Sequence, residues 1–177
     1  MKSIIYHYIR NKNKLFPYYN ILEKKNYINQ IKKFSKTGLI NSFEELFFDS
    51  DKYIPTFEDG FKDHIYAAEI LKKYNGIGLF FISTSPLKNN IILDVHKTHL
   101  ILGKVKGLVA LNELEKYLNK NKIKNYYSQK EKLKYKIAYK QHNDDVHKKE
   151  FKKIMNYYGN LKLRKKILDQ LMSEFNL

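Results

Sequence analysis

The apolar positions of this chain change period as it runs. Ser3 to Ile9 alternates β-branched and aromatic residues with polar ones, which predicts a short strand with His7 near its carboxyl end. Residues 11–20, with Pro17 among aromatics, read as a loop. From Asn26 to Lys36 the spacing lengthens to that of a helix, with Tyr27, Ile28, Ile31 and Phe34 on one stripe and Gly38 as its stop. Ser42 and Glu45 have the spacing of a capping box, predicting a short helix through Phe47. Tyr53 to Phe57 reads as a strand, and Pro55, which lacks a ladder donor, places it at an edge or at a strand start. Phe61, Ile65, Ala68 and Leu71 then predict a helix that ends at Lys72-Lys73 and Asn75-Gly76. Ile77 to Ser83 follows as a compact strand of the buried type.

Strand, helix, strand with short joints is a βαβ unit, and its strands are expected to be parallel. Parallel pairing brings Glu58-Asp59 and Ser83-Thr84-Ser85 to the same rim, where loops of α/β folds gather ligands. After Pro86 the pattern is helical. Leu100 to Leu118 is apolar at helical spacing, and Lys130 to Gln141, Asp144 to Tyr158 and Leu161 to Phe175 read as Lys-rich helices, with Asp144-Asp145 and Asn160 as caps or first-turn acids. The last sixty or so residues carry no strand signal.

With 177 residues, 43% of them hydrophobic and 15% aromatic, the expectation is one globular domain, with at most a satellite element. Apolar runs fall short of the roughly 20 residues of a membrane helix, and the amino end lacks a secretory pattern, so a soluble, cytoplasmic chain is expected. The absence of cysteine excludes disulfides and thiolate metal sites and leaves carboxylate, imidazole and water as donors. The formal charge of +16 is unevenly spread, +5 over residues 1–103 and +11 over 104–177. Lysines at helical spacing, without a blocked run, suit solvated helix faces better than a nucleic-acid footprint.

The candidate chemistry lies at Glu58-Asp59. One carboxylate of such a pair can ligate a hard divalent ion while the other takes a proton. The histidines offer less. His96 and His99 would lie about 60° apart on a helix, within reach of one ion, but read more readily as structural or rim residues. His142 and His147 are expected to face solvent, His64 to be packed or solvated, and His7 could approach the rim.

Thr56-Phe57-Glu58-Asp59-Gly60 at a strand end is followed by Phe61-Lys62-Asp63, a helix ending in Leu71-Lys72-Lys73-Tyr74, and a strand with Phe80-Phe81. This order resembles the first segment of the polysaccharide deacetylase family, the NodB-homology group. Tyr6-His7-Tyr8 looks like the opening segment of that family, and Asp94-Val95-His96-Lys97-Thr98-His99-Leu100 resembles a segment of one of its branches. The resemblance spans residues 1–103. It implies a distorted (β/α) barrel that removes acetyl groups from amino-sugar glycans with a bound divalent metal, Zn or similar. In the family's Thr-Phe-Asp-Asp-Gly, the first acid is the base and the second a metal ligand, which carries over to Glu58 as base and Asp59 as ligand. Glu58 is longer than the family's Asp by one methylene. The family's His-Ser/Thr-x-x-His string does not occur in the chain.

The sequence therefore predicts an α/β fold: a partial, distorted (β/α) barrel over residues 1–103 and a Lys-rich, all-helical extension or insertion over 104–177. It predicts a polysaccharide deacetylase-like hydrolase, truncated and weak or inactive alone. Alternatives are a non-catalytic remnant or partner subunit that binds sugar or another chain, and a polyanion-binding module. Half a barrel would also leave an apolar strand edge for a second chain or for self-association.

Overall fold

A computed structural model describes residues 1–48, 50–124, 126, 128–157 and 160–177. The chain forms two compact units, one of residues 1–12 and 20–91 and the other of residues 13–19 and 92–177. The first mixes helix and sheet in the order β1 (Lys2–Tyr6), α1 (Lys24–Thr37), β2 (Tyr53–Phe57), α2 (Asp63–Lys73), β3 (Leu79–Phe80) and α3 (Thr84–Asn89). Its three strands make a parallel sheet in the order β1-β2-β3, as the βαβ reading requires.

β2 is the central strand, so Pro55 occupies neither an edge nor a strand start. Its register explains how this is tolerated. Along a parallel strand, N–H and C=O of successive residues point to alternate sides. Tyr53 exchanges both bonds with residues 38–40 on the β3 side, donating to Gly38 O and accepting from Ile40 N. Pro55 faces the same side, between this segment and Leu79, where the β3 ladder is only beginning. The missing donor falls in the gap.

The same segment explains why the expected strand Ile77–Ser83 shrinks to Leu79–Phe80. Ile77 N donates to Ile40 O instead of to β2, and only Phe81 N, bonding Phe57 O at 2.7 Å, extends the pairing. As an edge, the run is not buried: Phe81 is 56% and Ile82 58% exposed.

α1 starts two residues earlier than its pattern and stops at Gly38, whose φ of 120° and N–H to Phe34 O close the last turn. Tyr27 and Ile31 from its stripe are fully buried. α2 turns a different face inward from the one its pattern suggests. His64, Ala67 and Leu71 are buried, whereas Ile65 is exposed. The i, i+3, i+7 stripe thus carries a histidine, which the neighbouring aromatic rings accommodate. The core of this unit joins Tyr6, Ile9, Tyr27, Ile31, Leu39, Phe57, Ala67 and Leu71. Phe57 at its centre stacks on Phe80 (4.5 Å) and Tyr6 (5.5 Å) and meets Tyr27 edge-on. The capping box expected of Ser42 does not form. Residues Glu44–Phe47 make one 3-10 turn, and the Glu45 carboxylate accepts from Asn41 N and pairs with Lys52.

The second unit is helical: α4 (Asp94–Lys104), α5 (Gly107–Lys120), α6 (Gln129–Lys134), α7 (Val146–Tyr157) and α8 (Leu161–Glu174). The apolar run Leu100–Leu118 divides between α4 and α5, because Val105 and Lys106 are extended. The helix expected through Gln141 ends at Lys134 and continues as turns. The expected end at Tyr158 lies outside the described residues. Asp145 caps α7, accepting from His147 N and Lys148 N, and Asn160 caps α8, accepting from Lys162 N and Leu163 N. Leu114, Phe151, Met155, Ile167, Leu168 and Leu171 lead its core. Lys97 pairs with Asp169, and Lys152 pairs with Asp144 at 2.6 Å. Tyr18 N donates to Gly103 O, Lys148 Nζ donates to Tyr18 O, and the Tyr19 ring lies so close to Gly103 that a Cβ there would fall 2.0 Å from it.

Candidate functional site

The carboxyl ends of β1, β2 and β3 form one rim of the sheet. Tyr6 pairs with Phe57, and Glu58 N donates to Tyr6 O at 3.3 Å, so the residues just beyond the two strands, His7 and Glu58, emerge side by side. Asp59 (φ 75°) and Gly60 (φ 68°) are both left-handed and swing the chain from the sheet towards α2. Asp is among the few residues with a Cβ that accept this conformation. Gly60 is required for a second reason. A Cβ at this position would meet Ile82 Cγ2 at 2.8 Å, so the turn is packed against the chain leaving β3.

Glu58 and Asp59 line an open cleft of about 430 Å³ with Phe81, Ile82 and Ser83. The expected convergence of the two strand ends is therefore seen at Ser83, while Thr84 and Ser85 open α3. The Glu58 carboxylate is also engaged on the β1 side, where its Oε2 lies 3.2 Å from His7 Nε2, with both side chains less than half exposed. His7 lines a second cleft, about 410 Å³, with Tyr6, Tyr8, Asn20 and Gln30 among its walls. Glu58 thus lines one cleft and lies beside His7, which lines the other.

His64 supports this arrangement from beneath. Its Nε2 lies 2.8 Å from His7 O, and its ring packs against Phe57 and Phe61. Burial holds the His64 pKa below its ordinary value, against the opposing pull of the His7 carbonyl, so the ring is neutral near pH 7 and donates from Nε2. Beside it Arg10 Nε donates to Asp63 Oδ2 at 2.6 Å, tying the chain after β1 to the first turn of α2. Sequence reasoning did not find the supporting part of His64 or the Arg10–Asp63 pair. The available signal was the position of His64 on the stripe completed by Ala67 and Leu71.

The other histidines do not join this group. His96 and His99 lie on α4 in the helical unit, flanking the buried Lys97 and Thr98. His142 and His147 lie near Asp144 and Asp145, at 4.0 and 3.7 Å. Among the described residues no group of three or more His, Cys, Asp or Glu side chains is arranged to hold a metal ion. The donors at the rim therefore do not fit a closed divalent centre, which needs at least three protein ligands. No described helix is long and apolar enough to cross a membrane. Compared with known proteins, the chain matches no family model, no curated protein and no solved structure.

Proposed function

We propose that the mixed unit is the opening part of a distorted (β/α) barrel of the polysaccharide deacetylase type. Its rim at Glu58 and Asp59 would hydrolyse N-acetyl groups on amino-sugar glycans, weakly or not at all by itself. One observation carries this reading: two adjacent carboxylates leave the central strand of a parallel sheet through a left-handed Asp-Gly turn and open on a cleft shared with the next strand. In this role Glu58 is the proton acceptor, and Asp59 is the carboxylate offered to a divalent ion. Among the described residues the donor set does not complete a site for that ion.

The alternative of a non-catalytic or partner subunit is favoured by the exposed β3 edge, where a further strand of another chain could pair and bring the missing imidazoles. Both readings are tested by acetate release from chitooligosaccharides with and without added Zn or Co, in the native chain, Glu58→Gln and Asp59→Asn. Weak release that disappears in both variants supports hydrolysis. Release that is equal in all three chains, together with no heat of metal binding in calorimetry, overturns it.

A further inference from the structure

A third cleft of the mixed unit, about 500 Å³, shares no lining residue with the clefts at Glu58 and at His7. That volume is in the range of small-molecule sites. Arg10, Lys24 and Lys62 line it together with Tyr66, Asp63 and Glu69. The three cations come from three segments: the chain after β1, the first residue of α1 and the residue before α2. Arg10 is held on several sides. Its backbone N–H donates to Leu22 O at 3.1 Å, its Nε donates to Asp63 Oδ2 at 2.6 Å, and its guanidinium carbon lies 5.0 Å from the centre of the Tyr8 ring. A guanidinium carries five N–H donors in a fixed fork and so can serve more than one acceptor. Lys24 Nζ stands 4.2 Å from the centre of the Tyr66 ring, which brings the start of α1 against α2. Among the described residues no carboxylate lies within ion-pair distance of Lys24 or Lys62, and Asp63 is already engaged by Arg10.

The cleft is therefore cationic where α1 and α2 begin. Its other end differs. Lys62, Tyr66 and Glu69 fall at steps of four and three residues on one face of α2, with Lys62 and Glu69 about 10 Å apart along the axis. The Tyr66 ring and the exposed Ile65 side chain lie between them along the helix. The first N–H groups of α2 are not what an anion would meet, because His64 N and Ile65 N donate to Phe61 O and Lys62 O. Side chains make the cationic end.

We propose that this cleft binds a phosphomonoester of a small, hydroxyl-bearing molecule. Arg10, Lys24 and Lys62 take the phosphate oxygens, Tyr66 and Ile65 cover the carbon skeleton, and Glu69 accepts from a hydroxyl at the far end. The carboxylate decides the class of ligand. A polyanion would carry further phosphates past Glu69, which repels them, whereas one phosphate on a polar skeleton matches a cleft that is cationic at one end and acidic at the other. Bulk charge does not produce the site, since the excess lies elsewhere, +11 over residues 104–177 against +5 over residues 1–103. The inference uses neither Glu58 nor Asp59 and is independent of the deacetylase reading.

Glucose 6-phosphate, inorganic phosphate and glucose are titrated into the full chain at constant ionic strength, with sodium chloride as the matched control. Nitrogen-15 NMR follows the backbone amides and the Arg10 Nε–H. Glucose 6-phosphate should give saturable shifts gathered at Arg10, Lys24 and the first two turns of α2, inorganic phosphate should bind more weakly, and glucose should give none. Lys24→Gln and Lys62→Gln each remove one charge without touching the Arg10–Asp63 pair. Each should weaken glucose 6-phosphate by about threefold, what one exposed charge pair contributes, and the double variant by about tenfold. Shifts that do not saturate, that the chloride control reproduces, or that centre on the lysines of the helical unit overturn the proposal. So does an affinity unchanged in the double variant. Inorganic phosphate binding as tightly as glucose 6-phosphate overturns the assignment of the ester. Acetate release is no part of this readout, so failure here and failure of the deacetylase reading are distinguishable.

Discussion

Replacing Lys152 by Met tests the least forgiving contact of the helical unit. The Asp144 side chain is only 2% exposed and Lys152 only 10%, with 2.6 Å between Nζ and Oδ2. The Tyr139 ring lies 5.6 Å from the ammonium. A pair so removed from water gains little net stability over an apolar replacement, but losing one partner leaves the other charge poorly compensated. Lys152→Met takes the ammonium from the buried Asp144 carboxylate, which keeps other neighbours such as the His142 ring at 4.0 Å, and is expected to cost about 3–5 kcal/mol. With a urea slope of roughly 2 kcal/mol per molar, the midpoint should fall by about 2 M. The double variant Asp144→Leu/Lys152→Met removes both charges and should recover at least about 2 kcal/mol of that loss, a coupling far above the few tenths seen between independent sites. The assay is urea unfolding followed at 222 nm for the native chain, both single variants and the double. If Lys152→Met costs less than about 1 kcal/mol, or the single effects simply add, the pair is in effect solvated and the reasoning fails.

Three further outcomes follow from the same geometry. His64 has a lowered pKa, so between that value and its ordinary 6.5 the unfolded chain binds more protons than the folded one. Stability of the mixed unit should therefore be fully present above pH 6.5 and fall as the pH drops through the window, and a His64→Gln variant, titrated by urea unfolding, should lack this component. Phe57→Ala deletes a fully buried ring that stacks on Tyr6 and Phe80, and should cost about 3–5 kcal/mol in the same unfolding experiment. Asp145→Ala removes the acceptor of two N–H groups at the start of α7 and should cost about 1 kcal/mol, with amide exchange faster in the first turn than in the last.

Local signals were legible in the sequence where one residue decides the outcome. Gly38 stops α1, Asp145 and Asn160 cap α7 and α8, and the strand–helix–strand succession yields the parallel sheet with Glu58 and Asp59 at its rim. What was not legible depended on neighbours distant in sequence. Pro55 argues for an edge by its own chemistry, and only the segment 38–40, entering beside Tyr53, makes room for it in the central strand. The run Ile77–Ser83 is apolar enough for a buried strand, yet Ile40 O takes its first N–H, and the remainder becomes an exposed edge. The inward face of α2 was not legible, because Ile65 outranks His64 on any hydropathy scale, whereas the rings of Phe57 and Phe61 that meet His64 favour a flat, polar-edged side chain. Within the site, the two carboxylates are evident from adjacency. The contact of Glu58 with His7 spans 51 positions and depends on the β1–β2 register.

The segment Asn13–Tyr19 lies in the helical unit although the residues on either side of it belong to the other. Its partners Gly103 and Lys148 are synthesised some 85 to 130 residues later, so these residues must leave the ribosome early and remain unsatisfied until α4 and α7 exist. Closing loops of that length is slow, and the helical unit cannot complete its packing as an autonomous late domain. A protein cut between residues 91 and 92 would separate the Gly103 cradle from the Tyr19 ring that fills it. A dissection that respects the architecture has to carry residues 13–19 with the helices, as an added peptide or by circular permutation.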